Sequence, residues 1–217
     1  MSPDHSQGAD VAELFTQQTW DARYAGVDRV WSGRPNRHLV EQVTDLPPGR
    51  ALDIGAGEGA AAVWLAGQGW DVTALDVSTV ALERTARHAA DAAVAARVTT
   101  LHHDLMTGEA LPEGFDLVSA QYLHPPLERF AEIISILGDA VREGGLLLVV
   151  GHHPDDLATG LHSGHGHPEL LFPPERVVDA LDPATWDVTV ANAQTREVAK
   201  DEGPVIVTDS VVLATRR

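Results

Sequence analysis

The chain has 217 residues, of which 44% are hydrophobic, a size and composition typical of one soluble globular domain with a full core. It contains no cysteine, which excludes disulfides, thiolate metal sites and a cysteine nucleophile and is consistent with the cytoplasm. The formal net charge of -17 repels phosphate backbones and anionic lipids, so we expect neither nucleic acid nor a membrane as a partner.

The beginning of the chain is predicted to be a disordered tail (residues 1–9) and a helical lid (residues 10–46), ahead of a core that spans residues 47–217. The tail is polar and acidic and lacks the apolar stretch of a signal peptide. The lid contains Trp20, Tyr24 and Trp31. Aromatic faces attract onium cations by roughly 0.5–2 kcal/mol, which would suit a lid over a cationic ligand. A helix packed on the core explains the same residues without a ligand, and both interpretations remain open.

A nucleotide-binding unit is predicted directly after the lid. Ala51 to Ile54 is a short apolar run that is typical of a buried strand. Gly55, Gly57 and Gly59 follow at alternate positions, where the absence of a Cβ lets the backbone turn sharply and lets a ligand approach closely. The helix that follows points its unpaired N–H groups at the space over these glycines.

Two acidic residues indicate which nucleotide binds there. Asp53 stands at the end of the first strand, where a carboxylate would repel the pyrophosphate of a dinucleotide. It suits a cationic ligand instead, such as S-adenosylmethionine with its ammonium and sulfonium groups. Asp76 ends the next apolar run and is placed to accept hydrogen bonds from ribose hydroxyls.

These stretches resemble a known family. Leu52-Asp-Ile-Gly-Ala-Gly-Glu-Gly59 is similar to the first motif of the class I S-adenosylmethionine-dependent methyltransferases, and Thr73-Ala-Leu-Asp-Val-Ser78 is similar to the second. The spacing of Trp20, Tyr24 and Trp31 resembles the N-terminal segment of the thiol, thiopurine and halide methyltransferases. Trp31-Ser-Gly-Arg-Pro-Asn36 resembles the corresponding segment of the tellurite-resistance-type methyltransferases.

The resemblance implies a set of cofactor contacts. Arg37 would pair with the methionine carboxylate, although a surface arginine would look the same in the sequence. Asp104 and Leu105 would contact the adenine, and Ala120 and Gln121, at the end of the fourth strand, would lie under the transferred methyl group. The other expected cofactor-binding residues come from the lid and the first two motifs: Trp20, Trp31, Asp53, Gly55, Ala56, Gly57, Asp76 and Val77. Ala56 stands where many relatives carry a cysteine.

The remaining pattern predicts an α/β fold. Helices are expected at residues 35–46, 60–68, 78–93, 127–141 and 174–181, and further strands at 71–75, 97–101, 115–120, 146–150, 186–193 and 205–215. This order matches a Rossmann-like, seven-stranded, mostly parallel sheet with an antiparallel last strand, helices on both faces and an N-terminal helical lid.

Residues that could act as catalytic groups follow the fourth and fifth strands. Tyr122 and His124 come after the fourth, and His153 comes after the fifth, at the carboxyl ends where α/β folds bind ligands. A hydroxyl or phenol acceptor would benefit from one of them taking its proton, whereas a thiol needs no strong base.

Histidines also occur in the loop that follows. His162, His165 and His167 are expected to be solvated, and no metal is predicted, because their spacing matches no standard site. A metal-binding function for this loop is kept as an alternative.

The leading hypothesis is an enzyme that transfers the methyl group of S-adenosylmethionine to a small-molecule nucleophile, which could be a thiol, a chalcogen oxyanion or a hydroxyl. It would act in the cytoplasm as a monomer or homodimer. The alternatives are an NAD(P)-dependent reductase and a non-catalytic, histidine-rich metal-binding module. Asp53 opposes the reductase, as does the lack of a Tyr-Lys pair, because Lys200 is the only lysine.

Overall fold

The structure is a computed structural model that describes residues 11–159, 167–198 and 203–217. Its α-helices are α1 (Gln17–Ala25), α2 (Arg37–Val43), α3 (Ala60–Gly67), α4 (Thr79–Asp91), α5 (Phe130–Ala140) and α6 (Pro174–Asp179). Its strands are β1 (Arg50–Ile54), β2 (Asp71–Asp76), β3 (Val98–His102), β4 (Phe115–Gln121), β5 (Val141–His152), β6 (Trp186–Val198) and β7 (Val205–Arg216). The predicted tail and residues 160–166 of the histidine loop lie outside the described residues.

The strands form one seven-stranded sheet in the order β3-β2-β1-β4-β5-β7-β6. β1 pairs in parallel with β2 and β4, β2 with β3, and β4 with β5. β7 runs antiparallel to both of its neighbours, β5 and β6. The predicted mostly parallel sheet with an antiparallel last strand is therefore confirmed.

Helices cover both faces of this sheet, because successive strand residues point to opposite sides. On one face Leu52 and Val118 belong to a buried cluster with the apolar sides of α5 and α6. On the other face Ala51 and Leu117 pack in a second cluster with residues of α2 and α3.

Local capping sets some of the helix starts. Ser78 Oγ accepts a hydrogen bond from the N–H of Ala81 at 3.0 Å, which starts α4 where the sequence predicted it. Asn36 Oδ1 accepts from the N–H of His38 at 2.8 Å, so α2 begins at Arg37 rather than at Pro35. β6 extends beyond its expected end because its pairing with β7 continues as far as Val198 and Val205.

The sheet order creates a crevice between β1 and β4. The chain leaves β1 towards β2 on one side, whereas β4 and β5 lie on the other side, and α/β folds bind ligands at such a switch point. The predicted nucleotide turn follows β1, and the predicted acceptor residues follow β4 and β5. Within the described ranges no helix is long and apolar enough to cross a membrane.

Gly151 of β5 provides a test of how tightly this core packs. A Cβ at this position would clash with the ring of Phe172, a fully buried side chain of the first cluster. We expect Gly151→Ala to lower the free energy of unfolding by about 1–3 kcal/mol, as overpacking does. Gly67→Ala is the control: a Cβ there meets nothing within 4 Å, so it should be neutral or stabilising by up to about 1 kcal/mol. Urea denaturation measures both, and equal effects would contradict this packing.

Candidate cofactor and acceptor site

The glycine turn (residues 55–59) has the backbone conformation that requires glycine. Gly55, Gly57 and Gly59 have φ values of 64°, 56° and 81°, in the left-handed region. The N–H of Gly57 donates to Asp76 Oδ2 at 2.8 Å, and Asp76 Oδ1 accepts from the N–H of Ser78 at 2.8 Å. Asp76 therefore holds the turn against the end of β2. Burial raises its pKa, and these backbone hydrogen bonds offset part of the shift.

Asp53 lies beside Asp76 at the end of β1 and is only 2% exposed. Its carboxyl accepts a hydrogen bond from the N–H of Ala62 in the first turn of α3, and its Oδ2 is buried without a hydrogen-bond partner among the described residues. Burial, followed by the negative charge of Asp76, raises the pKa of Asp53 to about 7. The sequence led us to expect a carboxylate presented on the bend. Asp53 instead packs against α3, so its carboxyl lies beneath the bend.

Two aromatic side chains of the lid lie over this turn. The hydroxyl of Tyr24 lies 2.9 Å, and the indole nitrogen of Trp31 3.4 Å, from the position that a Cβ on Gly57 would take. Trp31 Nε1 donates to the Tyr24 hydroxyl at 3.0 Å. Tyr24 is buried, as expected of a residue packed on the core, and its hydroxyl lies over Gly57, as expected of a residue in a lid.

The third lid aromatic has a different environment. The Trp20 indole nitrogen donates to the carbonyl of Leu14 at 2.8 Å. The Arg23 guanidinium lies 5.0 Å from the ring centroid of Trp20 and 4.8 Å from that of Trp31. The rings of Trp20 and Trp31 thus both contact a cation supplied by the chain. The side-chain atoms nearest to a Cβ built on Gly57 belong to Tyr24 and Trp31, not to Trp20.

The other expected cofactor residues have these positions. Asp104 Oδ1 accepts from the N–H of Met106 at 2.8 Å, and Leu105 is buried in the first core cluster. The Val77 carbonyl contacts His102 Nε2 at 3.0 Å. Arg37 is half exposed and forms an ion pair with Glu41 on its own helix at 2.8 Å. Ala56 packs partly buried against the second cluster, Ala120 is buried, and the Gln121 amide donates to Ser119.

Tyr122 has an uncommon backbone conformation directly after β4. Its φ of 56° is in the left-handed region, which is sparsely populated by residues other than glycine. Its N–H donates to the carbonyl of Val150 at 2.7 Å, and its hydroxyl donates to Asp209 Oδ2 at 3.2 Å. Burial and the charge of Asp209 raise the pKa of Tyr122, so this phenol is better suited to donate a hydrogen bond than to take a proton.

The two candidate histidines use a ring nitrogen to accept backbone hydrogen bonds. His124 Nε2 accepts from the N–H of His152 at 3.0 Å, and His153 Nδ1 accepts from the N–H of Asp155 at 3.1 Å. In a neutral imidazole the other ring nitrogen then carries the hydrogen. Each ring is thereby oriented as a donor on its second nitrogen, which is not the arrangement of a general base.

Sequence reasoning missed a cluster centred on Asp209, which comprises Asp209, His38, Tyr122, His152 and Arg196. Asp209 is fully buried and accepts from His38 Nε2 at 3.0 Å and from Arg196 Nε at 2.6 Å. His152 Nδ1 lies 3.7 Å from Asp209 Oδ1, and its ring stacks on that of Tyr122 at 4.4 Å. Burial would raise the pKa of Asp209, but the neighbouring His152 and the hydrogen bonds with His38 and Arg196 outweigh burial and lower the pKa. One feature of the sequence could have revealed this cluster: the polar pair Asp209-Ser210 lies inside an otherwise mostly apolar strand.

Within residues 11–159, 167–198 and 203–217, no group of three or more His, Cys, Asp or Glu side chains is arranged so that it could hold a metal ion. His167 Nδ1 lies 3.0 Å from Glu169 Oε1. His162 and His165 fall outside the described residues, so the prediction of no metal in their loop stays a prediction.

Comparison with known proteins agrees with this geometry. The profile of a methyltransferase domain matches residues 51–145. An uncharacterized methyltransferase of Mycobacterium tuberculosis is 33% identical over 138 residues, which cover 62% of this chain and 67% of that protein.

Two solved structures share the fold. TehB of Haemophilus influenzae superposes with a TM-score of 0.68 at 17% identity, covering 91% of this chain and 67% of that one. A methyltransferase of Geobacter sulfurreducens in complex with S-adenosyl-L-homocysteine gives 0.64 at 16% identity, covering 94% and 100%. The fold is that of the class I S-adenosylmethionine-dependent methyltransferases. With the match to the mycobacterial relative, the chain belongs to the methyltransferase family.

Asp209→Asn tests the buried cluster. Removing the charge leaves Arg196 without its buried counterion and weakens the hydrogen bond with His38, so we expect the free energy of unfolding at pH 7 to fall by about 3–5 kcal/mol. Because the folded-state pKa of Asp209 is lowered, its contribution is present above the ordinary carboxyl pKa and is lost as the pH falls below about 4. The control is Asp71→Asn, which affects an exposed pair with Arg97 and should change stability by less than about 1 kcal/mol. Urea denaturation at pH 7 and in acid measures the free energy of unfolding of both variants. An equal loss in Asp209→Asn and Asp71→Asn would contradict the role of the buried cluster.

Proposed function

We propose that this methyltransferase transfers the methyl group of S-adenosylmethionine to a small-molecule nucleophile, and that a thiol or chalcogen oxyanion is favoured over a hydroxyl. The observation that carries the proposal is the pair of buried carboxylates, Asp53 and Asp76, beneath the left-handed glycine turn. The unpartnered Oδ2 of Asp53 is the atom that a cation would satisfy.

The acidic pair fits this cofactor and opposes a dinucleotide. A carboxyl whose pKa is raised to about 7 becomes stably ionised when a positive charge comes next to it. S-adenosylmethionine supplies such charges in its ammonium and sulfonium groups, whereas a diphosphate would add negative charge to an already acidic site. The complex of the Geobacter structural neighbour with S-adenosyl-L-homocysteine supports this choice.

We assign the remaining cofactor roles from the placement of the residues. Asp53 would hold the ammonium group, and Asp76, whose carboxylate has lone pairs beyond those that accept from the backbone, would accept from the ribose hydroxyls. Gly55 and Gly57 would allow close approach of the ligand, and Tyr24 and Trp31 would cover it. Asp104 and Leu105, at the end of β3, would contact the adenine.

The residues after β4 and β5 bear on the choice of nucleophile. Methyl transfer is an in-line displacement, and aligning the nucleophile with the methyl group can supply much of the rate enhancement. The Tyr122 hydroxyl already donates to Asp209, and His124 and His153 each accept a backbone hydrogen bond on one ring nitrogen. None of them is arranged as a strong base, which favours an acceptor that ionises readily by itself.

The test is a panel of acceptors assayed for release of S-adenosylhomocysteine: thiophenol, phenol, aniline, selenite and tellurite. We expect turnover with thiophenol or a chalcogen oxyanion and much less with phenol. His153→Gln should lower kcat/KM by less than about tenfold, because a histidine acting as base would contribute about a hundredfold or more.

Turnover of phenol in preference to thiophenol, or a loss of a hundredfold or more in His153→Gln, would contradict the assignment of the nucleophile. Release of no S-adenosylhomocysteine with any of these acceptors would contradict the small-molecule substrate class.

A further inference from the structure

One buried ion pair connects the lid to the glycine turn. Arg84 of α4 is 11% exposed, and its Nη1 lies 2.7 Å from Glu58 Oε1, whose side chain is 4% exposed. Glu58 stands between Gly57 and Gly59, so it is part of the turn itself. Removing one partner of a buried pair leaves the other charge buried and uncompensated, which is costly, whereas breaking an exposed pair costs little.

Arg84 also holds the end of α1. Its guanidinium donates to the carbonyl of Tyr24 at 2.5 Å, to that of Val27 at 2.6 Å and to that of Asp28 at 3.1 Å. The last carbonyls of a helix lack partners within the helix, and a basic group there satisfies them and interacts favourably with the helix dipole. Arg84 therefore fixes the position at which α1 ends and, with it, Tyr24.

Glu58 holds the next part of the lid. Its Oε2 accepts from the N–H of Val30 at 3.1 Å and from the N–H of Trp31 at 2.9 Å. Burial would raise the pKa of Glu58, but the hydrogen bonds from Trp31, Arg84 and Val30 outweigh burial and lower it, so the carboxyl is held ionised. Both aromatic residues over Gly57 are thus attached to the same ion pair, Tyr24 through Arg84 and Trp31 through Glu58.

A second attachment of the lid lies apart from this pair. Asp21 Oδ1 accepts from Ser78 Oγ at 2.6 Å and from the N–H of Val80 at 3.2 Å. This contact ties α1 to the start of α4. Loss of the Arg84–Glu58 pair would therefore loosen the part of the lid from Tyr24 to Trp31 without releasing α1 altogether.

We propose that Arg84 and Glu58 are positioning residues for the cofactor, which hold Tyr24 and Trp31 over the glycine turn so that cofactor affinity depends on their ion pair. This inference rests on the proposed function for the identity of the ligand. The pairing itself can be tested without a ligand, through the exposure of the lid.

The test compares wild type, Arg84→Lys, the double variant Arg84→Met/Glu58→Gln, and the control Arg97→Met. The double variant removes both charges and so leaves no buried charge unpaired. Lysine keeps the charge but lacks the planar fork that reaches several acceptors. Arg97→Met breaks an exposed ion pair with Asp71, at 2.8 Å, in a region away from the lid.

Two measurements are made on chains whose folding is checked by circular dichroism. Calorimetry with S-adenosylhomocysteine should show a dissociation constant about tenfold higher for the double variant, an intermediate value for Arg84→Lys, and no change for Arg97→Met. Limited trypsin digestion with mass mapping should show faster cleavage after Arg29 in the double variant, with or without ligand.

The outcomes separate the two proposals. If the wild-type chain does not bind S-adenosylhomocysteine, the proposed function fails, and the trypsin digestion still decides whether the pair holds the lid. If the wild type binds and folded Arg84→Lys and double variants bind equally well, the inference is overturned. Should the double variant not fold, wild-type affinity in Arg84→Lys alone overturns it.

Discussion

Two carboxylates, Asp53 and Asp76, lie together beneath the glycine turn, and much of the surrounding structure limits the cost of placing them there. The N–H groups of Gly57 and Ser78 donate to Asp76, and the N–H of Ala62, at the positive end of α3, donates to Asp53. These donors leave Asp53 Oδ2 without a partner. Because the folded-state pKa of Asp53 is raised, stability is lost as the pH rises through about 7, and a bound cation would offset that loss.

The sheet order brings this acidic end of β1 next to the carboxyl ends of β4 and β5. There the chain places a different kind of polar site, the Asp209 cluster, in which one buried carboxylate is fully paired. Tyr122 belongs to both regions, since its strained backbone directly follows β4 and its hydroxyl reaches Asp209 on β7. The antiparallel β7 is what makes this possible, because its beginning meets the end of β5.

The sequence predicted the features that depend on neighbouring residues. Apolar periodicity predicted the strands and helices, Ser78 marked the start of α4, and the alternating glycines marked the turn, since each of these signals acts within a few residues. The Asp209 cluster could not be predicted in this way, because His38 and Asp209 are 171 positions apart. In the sequence, Glu58 is distinguished only by its position between Gly57 and Gly59. Its role became visible only when α4 placed Arg84 against it.

The proposed selection of a positively charged methyl donor by the acidic pair can be measured by proton-linked calorimetry. S-adenosylmethionine and NADH are titrated at pH 7 into wild-type protein and Asp53→Asn, each in two buffers of different ionisation enthalpy. The account predicts that S-adenosylmethionine alone binds the wild type. Its binding should release more protons there than in Asp53→Asn, because the cation drives a carboxyl of pKa about 7 to ionise. Tight binding of NADH without binding of S-adenosylmethionine, or equal affinity and equal proton release in both proteins, would contradict it.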